Sequence, residues 1–94
     1  MGQPWTDNEY AITDAAYQDA VERKLRGHRI NRSEIVDQCR RGLPDRDPAS
    51  ISPHLGNLTA ARQELGLPAL AEVAPFANRP AKLVDFLKTK HGLR

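Results

Sequence analysis

Apolar residues recur at helical spacing in four stretches of the chain, and Gly and Pro residues separate these stretches. This pattern predicts an all-α fold: a compact four-helix domain with a helix-turn-helix-like core, formed by residues 1–94 together. The predicted helices span about 6–26, 31–42, 47–65 and 79–90. The sequence contains no alternating strand pattern and no internal repeat.

The predicted helix boundaries carry capping signals. Thr6 and Glu9 have the spacing of a capping box, and Trp5 with Tyr10 has the spacing of a hydrophobic staple. The other boundaries carry related signals: Asn31 and Asp47 as caps, Pro48 and Pro80 in first turns, and Gly27, Gly42 and Gly66 as ends. These signals place the first helix start at Thr6.

Gly56 lies on the side of the predicted third helix that faces away from its apolar stripe, near Pro53 and Ala60. A glycine inside a helix costs about 1 kcal/mol relative to alanine, so Gly56 indicates the close approach of another group. That group could be a nucleic-acid backbone, another helix or a loop. His54 and Asn57 lie on one shoulder of the same face.

The net charge of +2 hides an uneven distribution along the 94 residues. Residues 1–22 hold five acids and no Lys or Arg, whereas residues 23–94 hold fourteen Lys and Arg against seven acids. The single cysteine excludes an internal disulfide, and no apolar run reaches the roughly 20 residues of a membrane span. The polar, acidic start is unlike a secretory signal, so we expect a cytoplasmic protein without membrane contact.

No group of residues has the spacing of a catalytic, cofactor or metal site. The three histidines lie far apart in sequence, and Asp14 and the other acids are expected on the surface or in caps. Cys39 falls on an apolar stripe and is expected to be a small core residue. The sequence therefore predicts no enzyme activity, no cofactor and no metal.

Basic residues concentrate around the two connectors that flank the second helix. Together with polar residues of the third helix they could form one surface, on which arginines contact phosphates and Asn or Ser side chains contact base edges. The candidate DNA-binding residues are Arg29, Arg32, Arg40, Arg41, Arg46, Ser50, His54 and Asn57. The same residues could instead form a basic face in contact with solvent. In that case Arg40 and Arg41 only balance the negative end of the helix dipole, and no DNA is involved.

Short motifs follow one another in a set order: Trp5-Thr6-Asp7, Gly27-His28-Arg29-Ile30-Asn31-Arg32, Arg46-Asp47-Pro48-Ala49-Ser50-Ile51, Asn57-Leu58-Thr59, Leu65-Gly66-Leu67-Pro68, then Pro75 and Asn78. Over about residues 5–84 this order resembles a small helical module found at the N-terminus of bacterial HNH and restriction-type endonucleases and defence proteins. The resemblance implies a restriction or phage-defence context, handling of modified or unmodified duplex DNA, and a nuclease domain or subunit as a partner.

The chain departs from the family pattern at two places. The Lys-His pair that precedes the Asn in the family is His54-Leu55 here, and the Ser after the Arg is Asp47. Two hypotheses follow: a DNA-binding module without catalysis of its own, or a protein–protein interaction module of a defence complex. The second hypothesis places the partner against Gly56 or against the acidic first helix.

Overall fold

Four helices form the fold of this computed structural model, which describes residues 4–76 and 80–93. They are α1 (Asp7–Leu25), α2 (Arg32–Gly42), α3 (Pro48–Leu65) and α4 (Ala81–Lys90). No strand occurs in those two ranges, so the predicted all-α four-helix fold is confirmed. Two expectations at residues 77–79, a helix start at Arg79 and the motif residue Asn78, lie outside the described residues.

The helix starts have the capping contacts that the sequence predicts. The Thr6 hydroxyl accepts a hydrogen bond from the Glu9 backbone N–H at 3.2 Å, and the Glu9 carboxylate accepts one from the Thr6 N–H at 3.0 Å. Asn31 and Asp47 accept from the third residues of their helices in the same way. Gly66 ends α3 with a φ of 73°, a conformation that glycine adopts at low cost.

The core lies where α1 and α3 meet the other elements. Helix α1 packs against α2, α3 and α4, while α3 packs against α1, α2 and α4. Among the described residues α2 does not contact α4, and both of these helices pack against α1 and α3. The fully buried apolar side chains come from all four helices and from the loop after α3: Tyr17, Ala20, Ile35, Cys39, Ile51, Leu55, Leu58, Ala61, Val73, Leu83 and Leu87.

Candidate nucleic-acid interface

The predicted basic residues form two groups, one at each end of α2. Arg29 is exposed in the connector before α2, and Arg40 with Arg41 is exposed in its last turn. Eleven helical residues rise about 16 Å, so the groups lie about that far apart. The two groups therefore flank α2 and do not form one patch around the start of α3.

Intramolecular ion pairs divide the basic residues into two classes. Arg23 pairs with Asp19 at 3.1 Å, and Lys24 pairs with Glu72 at 2.9 Å. Within residues 4–76 and 80–93, no ion pair or hydrogen bond involves the side chains of Arg26, Arg29, Arg32, Arg40 or Arg41. Arginines at both ends of α2 therefore have no partner for their side chains within the described residues.

Arg46 fastens the chain before α1 to the connector between α2 and α3. Its Nε and Nη2 donate to the Glu9 carboxylate at 2.8 and 2.9 Å, Nη2 also donates to the Pro4 carbonyl, and the guanidinium lies 4.2 Å from the Trp5 ring centroid. The hydrogen bond from Arg46 is the main cause that lowers the pKa of Glu9 to about 2. Only 9% of the Arg46 side chain is exposed, so these contacts give it a structural role.

His54 is buried and contacts side chains of the N-terminal region. Its ring is nearly parallel to the rings of Trp5 and Tyr10, with centroids 3.9 and 5.6 Å away. The Thr13 hydroxyl lies 2.9 Å from His54 Nε2 and 3.2 Å from the Tyr10 carbonyl oxygen, so it is within hydrogen-bond distance of both. Burial lowers the pKa of His54 to about 4, and the side chain is neutral at pH 7. His54, like Arg46, is thus engaged within the domain.

The two remaining candidates on α3 are half-buried. Ser50 lies in the first turn, where its backbone N–H donates to the Asp47 side chain at 2.9 Å. Asn57 is partly exposed, and its side chain has no hydrogen bond in the described part of the chain. Of the two, Asn57 is better placed to meet a base edge.

The group that approaches Gly56 closely is the chain's own loop. A Cβ atom at Gly56 would lie 2.8 Å from Phe76 Cδ1 and 3.1 Å from the Ala74 carbonyl oxygen, and the Phe76 N–H donates to the Gly56 carbonyl. The sequence allowed three kinds of group against Gly56: a nucleic acid, another helix or a loop. The structure places the loop there. A partner helix cannot dock against Gly56 while this loop stays in place.

A groove of about 260 Å³ lies between the N-terminal halves of α2 and α3. Its walls are formed by Arg32, Ser33, Val36, Asp37, Pro48 and Ser52. The Nε and Nη2 atoms of Arg32 are buried and have no hydrogen-bond partner among the described residues. Of these residues, Arg32 is a predicted DNA contact, whereas Ser33 and Ser52 are not, because serine near a helix start has ordinary backbone roles and Ser52 carried no further signal.

Asp14 is buried, contrary to the expectation that it lies on the surface or in a cap. Its Oδ1 accepts from Arg62 Nε at 3.1 Å and Nη2 at 2.8 Å, and its Oδ2 lies 3.0 Å from His91 Nε2. Arg62 is also fully buried and donates to the Pro68 carbonyl at 2.8 Å. The signal was present in the sequence, since Arg62 follows Leu58 by four residues on the apolar stripe of α3.

Residues 4–76 and 80–93 contain no cluster of three or more His, Cys, Asp or Glu side chains that could hold a metal ion. Cys39 is buried as expected, and burial raises the pKa of its thiol to about 11, so the thiolate is scarce at pH 7. No helix in this part of the chain has the length and apolar character needed to cross a membrane.

In comparisons with known protein families, with curated proteins and with solved structures, nothing matches this chain. The resemblance to a module of HNH and restriction-type endonucleases therefore stays a prediction that rests on the motifs alone.

Proposed function

We propose that this domain binds duplex DNA as a module of a restriction or phage-defence protein and performs no catalysis itself. The observation that supports this proposal is the set of unpaired guanidinium groups at Arg29, Arg40 and Arg41, on either side of α2. The resemblance supplies the rest of the proposal: a bacterial cytoplasmic protein that acts beside a nuclease domain or subunit, on modified or unmodified DNA.

The separation of the two arginine groups suits a DNA groove. The length of α2, about 16 Å, is comparable with the width of the major groove, about 12 Å, so each group can contact phosphates along one edge. Arginine side chains reach a few ångströms further and can adjust to the backbone. In this arrangement Asn57 on the neighbouring α3 supplies a side chain able to hydrogen bond to bases.

The acidic first helix opposes DNA binding less than its sequence charge implies. The carboxylates of Glu9, Asp14 and Asp19 are all paired with arginines of this chain. Their charge is therefore compensated within the domain, whereas the arginines at the ends of α2 are not. Residues 26–41 hold five arginines against two acids, Glu34 and Asp37, so this part of the chain carries an excess of three positive charges, which favours contact with phosphates.

A binding assay with matched charge variants tests the proposal. We expect Arg40→Ala combined with Arg41→Ala to weaken duplex binding about tenfold or more at low salt, and to lower the slope of log affinity against log salt by about 2. The matched control is Lys82→Ala combined with Lys88→Ala, which removes the same charge from α4, a helix that does not contact α2 in the described part of the chain. If the two double variants lose the same affinity for duplex DNA, the binding is non-specific electrostatic attraction and the proposal is wrong.

A protein–protein interaction module is the second candidate function, and Leu25 favours it. This side chain is 80% exposed at the end of α1, beside the unpaired Arg26. A partner protein could cover the exposed leucine and pair an acidic side chain with the neighbouring arginine. If this function holds, sedimentation shows an assembly that Leu25→Ser disrupts, while duplex affinity does not change. A monomer at all concentrations would count against self-assembly through Leu25.

A further inference from the structure

Leu25 is the most exposed large apolar residue in the described part of the chain, with 80% of its surface open to solvent. It ends α1, and residues 26–29 after it are exposed as well, so this turn lies on the surface of the domain. A single exposed leucine is common on protein surfaces and by itself indicates no ligand. Two features of the surroundings make Leu25 informative: the backbone that presents it and the charges beside it.

The backbone after α1 forms a fixed turn next to Leu25. The N–H of Gly27 donates to the Lys24 carbonyl and the N–H of His28 donates to the Arg23 carbonyl, both at 3.0 Å. Gly27 has a φ of 90°, as expected for this type of helix end. The turn therefore loses little further freedom when it binds. The same hydrogen bonds occupy helix-end carbonyls, whose negative ends would otherwise repel a phosphate.

The charges beside Leu25 suit a polyanion. The side chains of Arg26 and Arg29 have no ion pair or hydrogen bond among the described residues, and residues 23–33 contain no acid. A leucine alone offers far less area than the roughly 800 Å² that each partner contributes to a stable protein interface. One apolar side chain is enough, in contrast, to enter between two base pairs of DNA.

Arg29 joins this turn to the proposed DNA site. The proposed function places the arginines at the ends of α2 on phosphates that border the major groove. Leu25 precedes Arg29 by four residues, which span at most about 14 Å when fully extended. Each DNA backbone strand separates the major groove from the minor groove. A residue that lies just beyond the phosphate contact of Arg29 therefore meets the minor groove.

We propose that the turn after α1 enters the minor groove of duplex DNA, where Leu25 wedges between two base pairs and bends the duplex. This inference rests on the proposed function and adds a bend to it. Arg26 lies beside Leu25 in the groove, whose negative potential attracts arginine, and Arg29 contacts the neighbouring phosphate. Unstacking costs least at flexible steps such as TA, so the domain prefers sites with such a step under Leu25.

Energy transfer between dyes at the two ends of a short duplex measures the bend. We expect the unmodified protein to bend the duplex by roughly 20–90°. Leu25→Ala should remove most of the bend and lower affinity about threefold to tenfold, with an unchanged salt slope because no charge is lost. Leu25→Met keeps a long apolar side chain and should restore the bend. The matched control Leu93→Ala removes another exposed leucine and should leave the bend unchanged.

The preference for flexible steps gives a second readout. A duplex with a central TA step should bind severalfold more tightly than an A-tract duplex of the same length, and Leu25→Ala should reduce this difference. If the unmodified protein binds both duplexes without bending them, the wedge is wrong and the proposed function stands. If Leu25→Ser disrupts a protein assembly and leaves duplex affinity unchanged, Leu25 belongs to a protein interface and the inference is overturned. If no duplex is bound at low salt, both this inference and the proposed function fail.

Discussion

The ring of Trp5 stacks on the ring of His54, with centroids 3.9 Å apart and planes inclined by 10°. This contact joins the chain before α1 to the second turn of α3. The guanidinium of Arg46 also lies over the Trp5 ring. Tyr10 is nearly parallel to His54 as well, so the predicted staple between Trp5 and Tyr10 includes a histidine. The sequence predicts His54 and Arg46 on a DNA-binding surface. In the structure they form one cluster with Trp5 and Tyr10.

The cluster makes stability depend on pH in two ranges. The pKa of His54 falls from its ordinary 6.5 to about 4 on folding, so the stability it contributes is full above pH 6.5 and is lost as pH falls through 4. The pKa of Glu9 falls from 4.5 to about 2, so its contribution is lost between pH 4.5 and 2. We expect the unfolding free energy at pH 4 to be lower than at pH 7.5 by up to about 3 kcal/mol through His54.

Urea unfolding at a series of pH values measures this effect. The variant His54→Phe keeps an aromatic ring but cannot titrate, so its unfolding free energy should change much less between pH 6.5 and 4. His28→Gln, which removes an exposed histidine, is the matched control and should keep the pH dependence of the unmodified protein. A variant His54→Phe with an unchanged pH profile would show that another group is responsible.

Substitution of Arg46 should lower the stability of the domain, whereas substitution of Arg40 should not. Arg46→Ala removes two hydrogen bonds to Glu9 and the contact with Trp5, so we expect a loss of about 1–2 kcal/mol of unfolding free energy. Arg40→Ala removes an exposed, unpaired side chain and should change stability by less than about 0.5 kcal/mol. Thermal unfolding of the two variants decides the point, and equal stability would contradict the structural role of Arg46.

Local signals predicted the helices well because capping and spacing act over a few residues. Thr6, Asn31 and Asp47 cap the helices as their spacing indicates, and Gly66 ends α3 in the left-handed conformation. The candidate site was predicted less well, since whether an arginine is free depends on distant partners. Arg46 meets Glu9 from 37 positions away, and nothing in the motif around Arg46 indicates that pairing.

The ion pair between Asp14 and Arg62 should be worth more than any surface pair. Both side chains are almost fully buried, so Arg62→Met takes both arginine hydrogen bonds from Asp14 Oδ1, leaves partners only at Oδ2, and should cost about 3 kcal/mol. Arg23→Met breaks the more exposed pair with Asp19 and should cost less than about 1 kcal/mol. Chemical unfolding compares the two variants, and similar losses would refute the assignment of a structural pair to Asp14 and Arg62.

Gly56 should tolerate no side chain while Phe76 covers it. Gly56→Ala gains helix propensity of up to about 1 kcal/mol, but its Cβ would meet the Phe76 ring and the Ala74 carbonyl, so we expect a net loss of about 1 kcal/mol. In a Phe76→Ala background the same change should cost less, because most of the clash is gone. A double-mutant cycle measures this coupling, and a coupling energy of zero would argue against the loop contact.

We propose that the unpaired arginines around α2 bind the phosphates of duplex DNA. The most direct measurement is the affinity of the unmodified protein for a short duplex, followed as the salt concentration is raised. Three contacts, from Arg29, Arg40 and Arg41, predict a slope of log affinity against log salt of about −3. No binding at low salt to either unmodified or cytosine-modified duplex, or binding that does not weaken as salt is added, would contradict the claim.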